Sequence, residues 1–207
     1  MARYRGPRCR ICRRYGEPLL LKGDSCAAKC ALQRRTQPPG YRVARRRRIS
    51  DRALQLREKQ KARYAYGVLE RQFRRYYAEA VRRPGITGDN LIRLLESRLD
   101  NVVYRLGFAD SRAQARQLVN HGHIALNGRK TNIASAHVRE GDVIDWTESG
   151  KKTEYFQIVR ETVKSKEIPV WLSLDADNMA GRVLRLPEAV EAGVKFDPAV
   201  IVEYYSR

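Results

Sequence analysis

The sequence lacks any run approaching the roughly 18 uncharged apolar residues of a membrane-spanning helix. No apolar stretch follows Met1, so no secretory signal is predicted. We therefore expect a soluble, cytoplasmic protein whose thiols stay reduced. The first 48 residues are rich in arginine and poor in acids, as organelle transit peptides are, but their single serine, Ser25, disfavours that alternative.

Acidic residues are scarce, with 23 Asp+Glu against 42 Lys+Arg and a formal net charge of +19. A hydrophobic content of 43% excludes a disordered polycation, because it is enough to bury a core. Residues 1–48 carry a net charge of +13 and residues 49–83 carry +6, whereas the remainder is neutral. This asymmetry predicts a basic segment attached to a conventional domain and an anionic partner, either nucleic acid or an acidic membrane.

Residues typical of catalysis are also few. The three histidines are His121, His123 and His137, and there is neither a glycine-rich phosphate loop nor a recognisable Ser/His/Asp set. We interpret His121 and His123 as turn and RNA-facing residues rather than general bases. The sequence therefore predicts no enzyme activity and no small-molecule substrate.

The four cysteines of the chain form two close pairs. Cys9 and Cys12 are separated by two residues, Cys26 and Cys30 by three, and 13 residues lie between the pairs. Two pairs of thiolates facing each other across a loop are typical of a tetrahedral structural metal site. We predict one structural metal ion, with zinc favoured, an iron–sulfur cluster as a second option, and four free thiols as the alternative.

Two basic helices are predicted before Pro84. Ser50 caps the first, over Asp51–Arg63, and the second runs from about Leu69 to Arg82. Their cations scarcely mix with acids, which favours phosphate contact over an ordinary solvated face. The predicted contacts here are Arg57, Lys59, Lys61, Arg63, Arg71, Arg74 and Arg75, with Arg45, Arg46, Arg47 and Arg48 preceding them.

The neutral part of the chain predicts an α/β module. One helix, capped by Asp89 or Asn90, continues to Gly107, and another begins at Arg112 after Ser111. Asn127-Gly128 favours a tight hairpin between Ile124–Leu126 and Lys130-Thr131. Further strands are predicted at Val143–Trp146, Val170–Leu172 and Val183–Leu186. The predicted RNA-facing edge comprises Arg105, Arg112, Arg116, His121, His123, Asn127, Arg129 and Lys130.

Several long motifs carry a family resemblance. They are Met1-Ala2-Arg3-Tyr4, Leu54-x-Leu56-Arg57-Glu58-Lys59-Gln60-Lys61, Glu70–Arg74, Leu95–Phe108, Arg112-x-x-Ala115–Val119, Gly122–Ile124 and Tyr205-Ser206. With them the chain resembles the bacterial small-subunit ribosomal protein S four family over essentially its whole length. The last two cysteines are one residue closer than is common in metal-binding members, and Tyr41–Ala44 replaces the family's Gln-His-Gly.

The resemblance implies a primary rRNA-binding protein that nucleates small-subunit assembly at a helix junction in the 5′ domain. It also implies contact with ribosomal protein S five, a contribution to translational accuracy, and a position near the point where mRNA enters the subunit. Residues from about Ser97 to Val143 match the small RNA-binding module shared with several tRNA synthetases and pseudouridine synthases.

We therefore predict an α+β protein in three parts: a metal-stapled basic segment at 1–48, a helical domain at 49–88 completed by 177–207, and an inserted RNA-binding α/β module at 89–176. A DNA-binding regulator with a zinc finger is the main alternative, although no recognition helix or dimerisation surface is evident. An RNA-modifying enzyme built on the same module is a second.

Overall fold

The computed structural model describes residues 4–40 and 49–206, so the predicted contacts of Arg45, Arg46, Arg47 and Arg48 lie outside the described residues. The chain folds into two compact units. We name Met1–Leu91 with Gly193–Arg207 the helical unit, and Ile92–Ala192 the sheet unit. In the described ranges no helix is long and apolar enough to cross a membrane. The three-part domain organisation stays a prediction.

The described elements are short helices and strands. The helices are α1 Arg8–Tyr15, α2 Asp24–Ala28, α3 Ala31–Arg34, α4 Asp51–Ala65, α5 Glu70–Arg82, α6 Thr87–Glu96, α7 Leu99–Arg105, α8 Arg112–Asn120, α9 Glu148–Lys151, α10 Glu154–Thr162 and α11 Pro198–Ser206. A 3₁₀ turn spans Val163–Ser165. The strands are β1 Ile124–Leu126, β2 Arg129–Lys130, β3 Val143–Trp146, β4 Leu172–Asp175 and β5 Ala180–Val183.

Helix α4 organises the helical unit. Its start is confirmed at Ser50, whose side chain accepts a hydrogen bond from the Ala53 N–H. Helix α11 packs against α4. The ring of Tyr205 stacks on that of Tyr77 with centroids 4.5 Å apart. Residues of α11, near the end of the chain, therefore contribute to the core of the helical unit together with α4 and α5.

The sheet unit is built around a five-stranded antiparallel sheet in the order β2-β1-β3-β5-β4. The predicted hairpin is confirmed, with Leu126 opposite Arg129 and Asn127 and Gly128 at positive φ. Helix α8 also begins as predicted, because the Ser111 side chain accepts from the Gln114 N–H. Trp146 and Trp171 lie in a core formed by the sheet and α7, α8 and α10.

The predicted single helix ending near Gly107 is wrong, because the chain forms two helices that break at Ser97-Arg98. Arg98 has an extended backbone, with φ −72° and ψ 137°, and forms an isolated β-bridge with His137. The break lets the Arg98 side chain turn into the core, where it is fully buried. The periodicity of apolar residues gives no signal for a bridge between residues so far apart in the sequence.

The last two strands form a hairpin whose position differs from the prediction by two to three residues. They pair from Leu172 opposite Val183 to Asp175 opposite Ala180. The Asp175 carboxylate accepts hydrogen bonds from the N–H groups of Asp177 and Asn178 at 3.1 Å each, which closes the turn. The polar stretch after Leu174 is therefore the turn, and the strands lie directly on either side of it.

Candidate nucleic-acid interface

The clearest cationic surface of the helical unit lies on α5. Four arginines recur at intervals of three, one and seven residues, which places them along one side of the helix. All four side chains are exposed, and none forms an ion pair with another described residue. They are Arg71, Arg74, Arg75 and Arg82, and we call them the α5 arginine face. Arg83, by contrast, pairs with Glu79 at 3.2 Å.

The cations predicted on α4 serve the interior of the helical unit instead. Lys59 is buried and lies 2.7 Å from Glu70. Lys61 is also buried, between Glu17 at 2.9 Å and Glu58 at 2.6 Å. Burial disfavours the ammonium, but hydrogen bonds from Lys61 to Glu58 and Glu17 prevail and raise its pKa. These two lysines present no free surface to a phosphate, so we correct their assignment from RNA contacts to internal counter-charges.

The other two predicted cations of α4 also have protein partners. The Arg57 guanidinium donates a hydrogen bond to the Tyr15 carbonyl oxygen. The Arg63 guanidinium carbon lies 4.5 Å from the centre of the Tyr64 ring. Both side chains are partly exposed, so each retains some surface for a phosphate while joining α4 to its surroundings.

The arginines predicted on α7 and α8 are held by two buried acids. Arg116 is buried and donates to the Asp100 carboxylate at 3.2 Å, so its assignment as an RNA contact is corrected as well. Arg105 and Arg112 are partly exposed and lie 2.8 and 3.6 Å from the Glu96 carboxylate, whose side chain has no exposure. The acids Glu96 and Asp100 fix the directions of these arginines.

Sequence reasoning missed Glu96 and Asp100. The available signal was their position: both acids interrupt the apolar stripe of Leu94, Leu95 and Leu99, where a buried carboxylate needs a cation. Asn101 joins the same network, because its amide donates to Glu96 Oε2 at 2.8 Å and its oxygen accepts from Arg112 at 2.6 Å.

The β1–β2 hairpin places cations on the surface of the sheet unit. Arg129 and Lys130 are both exposed. The Asn127 side chain is used internally: its amide donates to Asp142 at 2.8 Å and its oxygen accepts from the Val143 N–H at 2.8 Å. A Cβ on Gly128 would meet nothing within 4 Å, so the turn backbone is open to a close approach. Asn127 therefore shapes the turn rather than reaching outward.

The histidine pair lies beside the hairpin. The rings of His121 and His123 are 6.0 Å apart, and Lys130 covers the Gly122 between them, since a Cβ there would lie 2.3 Å from Lys130 Cε. Burial lowers the pKa of His123, and the nearby His121 and Lys130 lower it further. The lowered pKa favours the neutral imidazole of His123, and the assignment of His121 and His123 as RNA-facing residues stays a prediction.

The four cysteines surround one cavity of about 20 Å³ near the start of the chain. Cys9 and Cys12 belong to α1, Cys26 to α2, and Cys30 immediately precedes α3. Burial raises the pKa of the Cys12 thiol; a hydrogen bond with the Leu19 backbone opposes the rise, and the other three cysteines add to it. Among the described residues no group of three or more His, Cys, Asp or Glu side chains is positioned to hold a metal ion. Four thiols on one cavity are the donor types of a thiolate-bound ion, but the described geometry does not assemble them into a metal site, which stays a prediction.

Comparison with known proteins matches two family models to the first 144 residues of the chain. Residues 3–96 match the Ribosomal protein S4/S9 N-terminal domain, and residues 97–144 match the S4 domain. These matches, together with the α5 arginine face and the exposed hairpin, define an RNA-binding protein with an α+β fold.

Full-length relatives narrow the class. A protein named small ribosomal subunit protein uS4 from Dehalococcoides mccartyi is 52% identical over 207 residues, and the same-named protein of Heliobacterium modesticaldum is 53% identical over 208 residues. That of Thermus thermophilus is 50% identical over 209 residues. In each case the match covers 100% of both chains. The chain belongs to the bacterial ribosomal protein S4 family, uS4, whose members are structural components of the small ribosomal subunit. This membership confirms the predicted family and the prediction that the protein is not an enzyme.

Proposed function

We propose that the protein is a primary rRNA-binding protein that nucleates assembly of the small ribosomal subunit in the cytoplasm, by gripping a helix junction in the 5′ domain of the small-subunit rRNA. The single observation that carries the proposal is the α5 arginine face, four exposed guanidinium groups with no acidic partner among the described residues. Unpaired arginines release the counterions of a nucleic acid when they contact its phosphates.

The contrast between α4 and α5 supports this assignment. Lys59 and Lys61 on α4 are neutralised within the protein, so they add little to the external field. The α5 arginines and the hairpin cations Arg129 and Lys130 keep their charge at the surface. Recognition is mainly of shape, because the deep major groove of A-form RNA is closed to side chains.

A titration tests the proposal. The full chain is titrated against a junction transcript of the rRNA 5′ domain and against duplex DNA of equal length, over a series of salt concentrations. We expect preference for the junction RNA. The double variant Arg74→Gln/Arg75→Gln should flatten the slope of log K against log salt by up to about 0.9 per lost duplex contact. Arg83→Gln removes a charge already paired with Glu79 and should change the slope least. Equal affinity for RNA and DNA contradicts the proposal.

Family membership supports three further proposals: contact with ribosomal protein S five, a contribution to translational accuracy, and a place near the point where mRNA enters the subunit. Crosslinking of assembled subunits tests both contacts. A misreading reporter in cells carrying surface variants tests the contribution to accuracy. Wild-type error rates across such variants, with subunits assembling normally, would count against the accuracy role.

We also propose one structural metal ion, held by Cys9, Cys12, Cys26 and Cys30. The shared cavity and the Lys22 N–H, which lies 3.3 Å from Cys26 Sγ and donates to it, support the proposal. When bound, the ion would cross-link α1 to α2 and the start of α3, and it would leave no open position for chemistry. Metal analysis of the purified protein tests this: one zinc per chain supports zinc, iron with acid-labile sulfide supports a cluster, and fully titratable thiols without metal contradict both.

A further inference from the structure

A second cavity of the helical unit, of about 240 Å³, is separate from the cysteine cavity and shares no lining residue with it. It lies between α1, α4 and the segment before α1. Three tyrosines, two arginines and one isoleucine line it: Tyr4, Tyr15, Tyr64, Arg10, Arg14 and Ile11. Aromatic walls beside guanidinium groups are the surroundings in which proteins hold single-stranded nucleic acid.

The three tyrosine rings line an open cavity and do not stack face to face on one another. Tyr4 meets Tyr64 edge to face, with centroids 5.6 Å apart and planes at 76°. Tyr15 and Tyr64 are 6.2 Å apart with planes at 43°. Neither pair is parallel, so the rings contact one another at an angle and leave no face-to-face stack between them. Ile11, which is buried, contributes an apolar wall.

Neighbouring residues hold the aromatic walls in place. The Tyr4 ring folds back over Gly6, where a Cβ would lie 2.5 Å from Tyr4 Oη, so only glycine lets the ring take this position. The Arg63 guanidinium covers the Tyr64 ring. Burial raises the pKa of Tyr15; Tyr64 adds to the rise and the nearby arginines oppose it, so the hydroxyl stays protonated.

The two arginines give the cavity an anion-binding rim. Arg10 and Arg14 are one helical turn apart on α1, and both side chains are exposed. Among residues 4–40 and 49–206 neither forms an ion pair, whereas Arg13 between them donates to the Gln37 carbonyl oxygen at 2.9 Å. The rim is therefore positive while the walls are apolar and aromatic.

We propose that this cavity captures one unpaired base of RNA, with the partly exposed rings of Tyr4 and Tyr64 against the base, buried Tyr15 behind them, and Arg10 and Arg14 against the adjoining phosphates. The inference rests on the proposed rRNA binding and adds a site to it. The cavity is below the roughly 300–1,000 Å³ of pockets for drug-sized ligands, which suits one base rather than a larger molecule. Because the walls offer stacking surface, the site accepts a base by its face rather than by a hydrogen-bond code.

Photo-crosslinking tests the proposal directly. The full chain is bound to a 5′-domain rRNA transcript containing 4-thiouridine, irradiated, digested and analysed by mass spectrometry. We expect a nucleotide adduct on peptides that contain Tyr4, Tyr15 or Tyr64. An otherwise bound complex whose adducts all lie elsewhere overturns the proposal.

Variants provide the second measurement. Tyr4→Leu should weaken affinity for the transcript by about fivefold to 150-fold, the range of one base–aromatic stack, while Tyr4→Phe keeps the ring and the affinity. Arg10→Gln/Arg14→Gln should lower the salt slope, and Arg34→Gln/Arg35→Gln, an equal loss of exposed charge outside the cavity, should lower it less. Circular dichroism verifies that each variant is folded. The photo-crosslinking measurement uses the wild-type protein, so it does not depend on the folding of any variant.

The outcomes distinguish a failure of the proposed base site from a failure of the proposed rRNA binding. If the wild type binds junction RNA over DNA and Tyr4→Leu binds equally well without a wild-type adduct, the base site is wrong and rRNA binding stands. If the wild type does not prefer junction RNA, the proposed function itself fails. Adenosine monophosphate and inorganic phosphate are titrated separately. Tight, Tyr4-dependent binding of the free nucleotide with no RNA adduct would overturn the RNA assignment.

Discussion

Arg98 and Asp100 form a bidentate ion pair in the core of the sheet unit, with Nη2 and Oδ2 2.7 Å apart and Nε and Oδ1 3.0 Å apart. The side chains are 0% and 4% exposed. Arg116 donates to the same carboxylate, so one acid serves two buried guanidinium groups. The energetic importance of Asp100 follows from this sharing.

Removal of the Asp100 charge should strongly destabilise the protein. In Asp100→Asn both Arg98 and Arg116 lose their counter-charge inside a low-dielectric core, and we expect the free energy of unfolding to fall by about 3–5 kcal/mol. Urea denaturation measures it. Asp177→Asn is the control, because Asp177 pairs with Lys164 at the surface and its loss should cost under about 0.5 kcal/mol. A similar small cost for Asp100→Asn would contradict the account.

Much of the local structure follows from local sequence. Ser50 and Ser111 cap the helices that follow them, and Asn127-Gly128 closes a hairpin, because each signal acts within a few residues. The break at Arg98 could not be predicted in this way, because it depends on pairing with His137, 39 residues later.

The same limit applies to the site. Lys59, Lys61 and Arg116 have the charge of RNA contacts, but burial and pairing decide their role. Their partners Glu70, Glu17 and Asp100 are 11, 44 and 16 residues away, and only the additional pair of Lys61 with Glu58 is local, at a separation of three residues. The tyrosine cavity gathers residues from positions 4 to 64 and has no periodic signature. Composition therefore predicts the class of ligand, whereas the fold selects the side chains that are free to meet it.

The exposed and the buried cations of the sheet unit should respond differently to substitution. Arg129→Gln/Lys130→Gln removes exposed charge, so we expect weaker rRNA binding and a smaller salt slope, by up to roughly 0.7–0.9 per contact, with unchanged stability. Arg116→Gln should instead lower the urea midpoint. Binding isotherms and denaturation curves on the same preparations separate the effects. If a folded Arg116→Gln protein showed a smaller slope of log K against log salt, Arg116 would be an RNA contact after all.

Glu70 should contribute a pH-dependent part of the stability. Burial alone would raise its pKa, but hydrogen bonds from Lys59 and Tyr205 outweigh it and hold the pKa below its usual value. A carboxyl whose pKa is depressed on folding stabilises the protein above its unfolded-state pKa, and that contribution is lost as the pH falls through the folded-state pKa.

Glu70→Gln should therefore flatten the decline in melting temperature between about pH 5 and about pH 3, and it should lower the melting temperature near neutral pH. Because Glu70 is partly exposed, we expect a modest effect. Glu79→Gln, which breaks only the surface pair with Arg83, should leave the profile close to that of the wild type. If the melting temperatures of the wild type and Glu70→Gln change with pH in parallel, Glu70 makes no pH-dependent contribution to stability.

Gly181 should tolerate no larger residue. It lies in β5, and a Cβ there would be 2.4 Å from Leu106 Cδ1 at the end of α7. We expect Gly181→Ala to cost about 1–3 kcal/mol through overpacking. Ser173→Ala, an exposed change on the adjoining β4, is the matched control and should be nearly neutral. Thermal melting of both variants measures the difference, and equal melting temperatures would show that Leu106 can move away.

Metal removal should act locally. If the four cysteines hold an ion, a chelator should expose residues before about Thr36 to protease and leave the sheet unit protected. Mass spectrometry of the limited digest identifies the cleavage sites. Cys30→Ser should reproduce the effect without chelator. Continued resistance of this segment after verified metal loss would contradict a structural role.

The packing of α11 on α4 also sets an order of events during synthesis. All of the sheet unit, from Ile92 to Ala192, is translated after α4 and before α11. At about 5–20 residues per second, the side of α4 that α11 later covers stays open for several seconds to tens of seconds. The nascent chain therefore completes the unit containing its beginning only after the intervening unit has been made, and chaperones or RNA can reach that open side in the interval.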